Sequence, residues 1–493
     1  MISVHQPILQ IVLPLMAAPI CVILRNAFAG WLLAMLVTWG ALAASLTMLV
    51  HVIDHGTISY AVGNWAPPWG IEYRIDLLSA FVLVTVSAVG AISMLFARRS
   101  VAAEVASDRV YLFYAMYLLC FTGLMGIPVT GDAFNLFVFL EISSLSSYVL
   151  ISLGRDKRAL TAAFRYLIMG TLGATFYIIG VGLMYMMTGT LNIADLASRI
   201  PDLIHLRTIQ VALAFLTVGI SLKLALFPLH LWLPNAYAFA PTVVTIFLAA
   251  TATKVAVYVL LRIVYTVFGG AAVFAAMPID EILVVFGVLS MVGGALSAVW
   301  QTNVKRLLAF SSISQIGYMV LGMGLADVTG IASSTVHIFN HAMIKAILFM
   351  AIGCVVFRIG SADLVAIRGF GKRMPITAAC VVVGSLSLVG APLTLGFVTK
   401  WLLLQGALDR GWWWIAALIV FASLLALAYV WRLVDAAYLH PPEGRVAEIK
   451  EAPTEMLVAL VLLTAANVVI AVDGSLIGDF AVTIAKQLLG SGG

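Results

Sequence analysis

Apolar runs long enough to cross a bilayer recur from one end of this chain to the other, and they leave few folds open to it. Of the 493 residues, 63% are hydrophobic and 10% charged, against roughly 25% charged in soluble domains. The chain is expected to be an all-α polytopic membrane protein.

Fourteen spans are expected, at 8–24, 31–53, 76–96, 110–128, 132–153, 164–187, 208–239, 242–267, 280–300, 304–325, 331–357, 375–407, 412–437 and 455–472. The seventh and twelfth are interrupted, at Phe227-Pro228 and at Gly390-Ala391-Pro392, because proline removes a donor and clashes with the preceding turn. Residues 1–493 then form one membrane domain, with 110–267 and 280–437 as two five-helix repeats of opposite topology. In alternate loops Lys and Arg number 17 on one side and 6 on the other. That bias places the basic loops in the cytoplasm and both termini outside the cell membrane.

Other classes drop out. The net charge of +5 comes from short basic loops, which serve as topology signals and give no reason to expect nucleic acid. Cys21, Cys120, Cys354 and Cys380 fall singly in apolar segments, so no disulfide framework, iron–sulfur cluster or haem site is expected. No Gly-rich phosphate loop follows a strand, and no cofactor is expected. The N-terminus lacks a basic n-region and reads as the first span.

Chemistry concentrates where charge meets a broken helix. Ser221–Tyr237, SLKLALFPLHLWLPNAY, places Lys223 five residues before Pro228 and adds His230. Irregular backbone at membrane depth survives only when it is buried in protein or lines a water-filled cavity. A charge beside such a break suggests an ion pathway; a kink with a snorkelling lysine is the competing reading. Glu141, nine residues into the fifth span, is the one acid well inside any span. An ionised carboxylate there costs roughly 2.5–3.5 kcal/mol on insertion scales, so Lys223 is its expected partner. A static salt bridge is the alternative.

Further along lie Lys254 and the run His337, His341, Lys345, whose spacing of four puts all three on one helical face. They offer exchangeable protons; satisfied core histidines and a metal pair are the other readings, and no third metal ligand is evident. Lys400 follows Pro392 by eight residues and completes the series. One ionisable group in each of spans 5, 7, 8, 11 and 12 reads as a proton wire. Sodium prefers several hard oxygen ligands, which one glutamate does not supply.

The segments LKLALFPLHLWLPNAY, TATKVAVYVLLR, NHAMIKAILF and GAPLTLGFVTKW resemble signatures of the proton-conducting, antiporter-like membrane subunits of complex I, membrane-bound hydrogenases and Mrp antiporters. With NLFVFLEISSLSSYVL and TGTLNIADLA, the chain looks most like the D-type subunit of Mrp sodium/proton antiporters. The resemblance implies that Glu141 and Lys223 form the coupling pair. Lys254 and the His337/His341 region would continue the axis, with Lys345 as a second group there. Lys400 would be the terminal site, where some relatives carry an acid. It also implies neighbouring membrane subunits, protons and sodium as the transported ions, and a transporter subunit with no enzymatic activity of its own. The homologous subunit of a redox-driven pump is the alternative, and a channel or scaffold is a third class.

Overall fold

The computed structural model describes residues 5–490. The chain begins with α1 (Gln6–Leu24) and α2 (Ala27–His55), then a hairpin of β1 (Ile58–Ala61) and β2 (Glu72–Ile75), antiparallel with Ile58 opposite Ile75. There follow α3 (Leu77–Glu104), α4 (Val110–Val129), α5 (Ala133–Ser152), α6 (Arg158–Thr188) and the short α7 (Ile193–Leu203). The next group is α8 (Arg207–Leu224), α9 (Leu233–Phe239), α10 (Thr242–Ala250) and α11 (Ala252–Leu261), which runs into π-helical turns at Arg262–Val267. After α12 (Gly270–Ala276) come α13 (Ile279–Val299), α14 (Val304–Gly324), α15 (Val328–Ile359), α16 (Phe370–Arg373), α17 (Pro375–Val389) and α18 (Leu395–Asp409). The chain closes with α19 (Trp413–Tyr438), α20 (Arg445–Glu448), α21 (Thr454–Val472) and α22 (Gly474–Leu488).

Among the described residues, thirteen helical runs are long and apolar enough to cross a membrane. The expected twelfth span is the broken pair α17–α18, in which α17 alone has only 15 residues. The expected interruptions are present. Between α8 and α9 the backbone leaves the helix at Ala225, in the left-handed region at φ 59°. Between α17 and α18 it turns at Gly390, φ 86°, where a residue without Cβ is at no disadvantage. A third break was not expected: Thr251, at φ −123° and ψ −56°, separates α10 from α11. The amphipathic α7 and α22 were not expected either. Phe480 of α22 meets Phe81 of α3 at 5.6 Å between ring centroids.

Backbone bonds between loops show which ends share a side. Val105 bridges Gly154 on one side, and Tyr73 bridges Thr130 on the other. A matched motif stands at the start of α5 and of α14. Ala133 N donates to Leu191 O at 2.8 Å and Ile193 N to Gly131 O at 2.8 Å. Val304 N likewise donates to Ala362 O at 2.8 Å and Leu364 N to Thr302 O at 2.9 Å, on the opposite side. Asp132 and Asn303, one residue before each helix, cap them by accepting from Asn135 N and Arg306 N.

The core does not surround all helices equally. The α10–α11 run and α14 are each 94% buried over their most apolar window, against 28% for α2. Lys254, Lys305, His337, His341 and Lys345 therefore lie in the most enclosed runs, α11, α14 and α15, while Lys400 lies on α18.

Candidate functional site

The first contact is the expected one. Lys223, in the last turn of α8, donates from Nζ to Glu141 Oε1 at 3.0 Å and to Ser144 Oγ at 2.6 Å. The Lys223 side chain is 5% exposed and that of Glu141 21%, so the carboxylate sits at the edge of the bundle and the ammonium inside it. The break after α8 is fixed by Trp232, whose Nε1 donates to Leu222 O at 3.0 Å and whose ring stacks on Tyr166 at 3.9 Å. Beside Lys223 is a cavity of about 20 Å³ lined by Ser143, Ser144, Ser147 and Tyr166, among others. That is room for one water, with hydroxyls to hold it. His230 lies in the break with its ring 5.1 Å from that of Phe227, and its Nδ1 meets no protein partner. It does not touch the Glu141–Lys223 pair. Pro228 is in the break itself, as expected.

Lys254 is 1% exposed and follows the unexpected break. Its Nζ donates to Ala249 O and, at 3.3 Å, to Thr253 Oγ1. Interrupting a helix leaves C-terminal carbonyls without intrahelical partners, and one of these receives the ammonium. The sequence signal was Thr251-Ala252-Thr253, two β-branched hydroxyl residues just before a buried lysine.

On α15 the rings of His337 and His341 stack at 5.7 Å and 5°. All four of their nitrogens are buried without a protein partner. Imidazoles at such burial need hydrogen-bonding partners, and water is the small molecule that fits this chemistry. Lys345 donates to Leu308 O at 2.8 Å and to Ser311 Oγ on α14. Among the described residues no group of three metal-ligating side chains forms.

Lys400, on α18, reaches back over the second break. Its Nζ donates to Val389 O at 2.6 Å and Leu388 O at 3.3 Å, the terminal carbonyls of α17. Pro392 lies in that break. The ammonium also stands 5.0 Å from the centre of the Tyr318 ring, and Tyr318 lies 6.1 Å from the His337 ring. Tyr318 thus joins the histidine pair to Lys400, a link that sequence reasoning missed. Each of Lys223, Lys254 and Lys345 is held by its own hydroxyl or carbonyl partners rather than by the next amine in the series.

Two cations counted as loop charges are buried instead. Arg262 is 9% exposed in the π-helical turns, paired with Asp76 and donating to Ser79 Oγ at 3.0 Å and to the Tyr258 hydroxyl at 3.1 Å. Lys305 is 5% exposed. Both sit at span ends, where periodicity does not distinguish a buried cation from a solvated one. The loop bias survives their removal.

Lysines and histidines buried in the interior, next to three helix breaks, make this a many-span membrane protein with ionisable groups in its core. Residues 130–426 match the family described as NADH:quinone oxidoreductase/Mrp antiporter, TM, and the chain belongs to that family. It is 39% identical to the N-type subunit of the NADH-quinone oxidoreductase of Desulforudis audaxviator over 94% of each chain. It is 30% identical to the D-type subunit of the Na(+)/H(+) antiporter of Alkalihalophilus pseudofirmus, over 91% of this chain and 90% of that one. A chain of the membrane-bound sulfane sulfur reductase, an archaeal respiratory membrane complex, superposes with a TM-score of 0.90 at 30% identity, covering 98% of this chain and 97% of that one.

Proposed function

We propose that the chain carries protons across a cell membrane as one subunit of a larger complex, along Glu141, Lys223, Lys254, Lys345 with His341 and His337, and Lys400. The observation that carries this reading is the Lys223–Glu141 contact at 3.0 Å beside a broken helix. Amines and imidazoles hold exchangeable protons, whereas sodium prefers a cage of hard oxygens. The chain supplies the path; the driving reaction belongs to neighbouring subunits.

Two drivers remain, and each has an observation behind it. The 39% identity to a subunit of a quinone oxidoreductase favours a redox-driven complex over the antiporter that the motifs suggested first. The 30% identity to the D-type antiporter chain keeps the sodium/proton antiporter as the second reading. Purifying the complex through this chain separates them: redox subunits and quinone- or acceptor-dependent proton uptake mark the first. Sodium-driven proton flux without redox partners marks the second.

We read 110–267 and 280–437 as inverted repeats. Support comes from the twin backbone bonds at 131–133/191–193 and 302–304/362–364, which stand on opposite sides. The basic loops are placed in the cytoplasm and both termini outside. Cysteines introduced at the exposed Ser107 and Val365 should then resist an impermeant thiol reagent added outside whole cells. Labelling at both from outside reverses the orientation.

A further inference from the structure

The side of the bundle that carries the 153–157, 300–303 and 360–363 loops holds a pocket of about 330 Å³. Its charged lining is Glu104, Arg155, Asp156, Arg158, Lys305 and Asp363. Arg158 donates to Asp156 at 2.8 Å and holds that carboxyl below its usual pKa, so it stays ionised at the mouth. Lys305 stands differently. It is the second residue of α14, and its Nζ donates to Thr242 Oγ1 at 3.1 Å. Thr242, the first residue of α10, donates its backbone N–H to Glu104 Oε2 at 2.8 Å.

Two carboxylates of the pocket, Glu104 and Asp156, face the Lys305 ammonium without clasping it in an ion pair. Lys305 lies in the first turn of α14 and touches the first residue of α10, the positive ends of two helix dipoles. No carboxylate pairs with it within salt-bridge distance among the described residues. Six residues further along α14, about 9 Å of rise, Ser311 accepts from Lys345, which also donates to Leu308 O. One helix therefore presents an amine that faces the pocket and, within two turns, receives an amine of the buried axis.

We propose that Lys305 is a proton-relay residue linking this pocket to Lys345. Neutral Lys305 takes a proton from pocket water to become the ammonium, then releases it inward toward the neutral amine of Lys345 by way of Thr242 and Ser311. No bond other than those to the moving proton is made or broken. Glu104 and Asp156 attract the proton to the mouth, and Arg155 and Arg158 oppose its accumulation there. The proposal rests on the proton path described above.

The test uses the intact complex in sealed vesicles. Lys305→Cys should lose proton flux at least tenfold. Treatment with aminoethyl methanethiosulfonate rebuilds a primary amine at that position and should restore more than half of it. The trimethylammonium analogue installs a charge with no transferable proton and should restore nothing. The untreated and treated wild type, whose four cysteines are buried, serve as controls. Restoration by both reagents, restoration by neither, or wild-type flux in the untreated variant overturns the proposal. Should Lys305→Cys not assemble, Lys305→Arg keeps the charge and the reach to Thr242; slow flux supports the relay and wild-type flux refutes it. Glu141→Gln in the same vesicles separates the two levels. Normal flux there removes the whole proton path, whereas normal flux only in the Lys305 variants removes this branch.

Discussion

Glu141→Gln should lower proton translocation at least tenfold, while the complex still assembles. The side-chain length and the approach to Lys223 are kept, and only the charge is removed. Lys223 then retains Ser144 as its partner at 2.6 Å but has no counter-charge. Removing one member of a buried pair leaves the other charge uncompensated, at a cost of about 3–5 kcal/mol when both are fully buried. Glu141 is 21% exposed, so the penalty for folding is smaller than that. The larger consequence is kinetic: the lysine no longer has an acid whose approach and withdrawal govern when it is charged. Glu141→Asp keeps the charge but shortens the arm by one methylene, and should keep partial flux. Normal flux in the glutamine variant would make the pair a static clasp.

Lys400→Arg should be nearly as damaging, and the geometry makes it a clean comparison. Leu388 O and Val389 O accept from Lys400, and the Tyr318 ring lies 5.0 Å away. A guanidinium can satisfy both carbonyls and sit over the same ring, so the break between α17 and α18 keeps its support. It does not release a proton at any relevant pH. Assembly should be normal and proton flux strongly reduced. Lys400→Glu should keep little flux. Two acceptor carbonyls face the position, and an ionised carboxylate has no proton to give them. Wild-type flux in the arginine variant would mean that position 400 supplies charge alone.

Much of this was legible in the chain alone, for a physical reason. A lysine in an apolar run is so costly that it marks its own importance, and Lys223, Lys254, Lys345 and Lys400 were all found that way, as was the acid Glu141. Prolines at 228 and 392 announced two breaks because missing donors leave a covalent trace in the sequence. The break at Thr251 left only Thr251-Ala252-Thr253 ahead of Lys254, and threonine is tolerated in helices; the Ala249 carbonyl taking up Lys254 shows the break in the structure. Tyr318 escaped because an aromatic in an apolar helix reads as core, and its link from His337 to Lys400 exists only through packing of α14 against α15 and α18. Arg262 and Lys305 escaped for the opposite reason. At span ends the sequence cannot separate a solvated cation from one folded inward against Asp76 or Thr242.

The central claim is that protons pass through the interior, between the two halves, and Lys254 stands there with carbonyl and hydroxyl partners instead of an acid. The most direct measurement is proton flux into liposomes containing the purified complex, followed with an internal pH-sensitive dye, for wild type and Lys254→Met. Methionine fills the apolar space and leaves no unpaired charge, so assembly should be intact. Flux in the variant should fall at least tenfold. Wild-type flux through an assembled Lys254→Met complex would contradict it, because the proton would then cross by a route that does not use the buried axis.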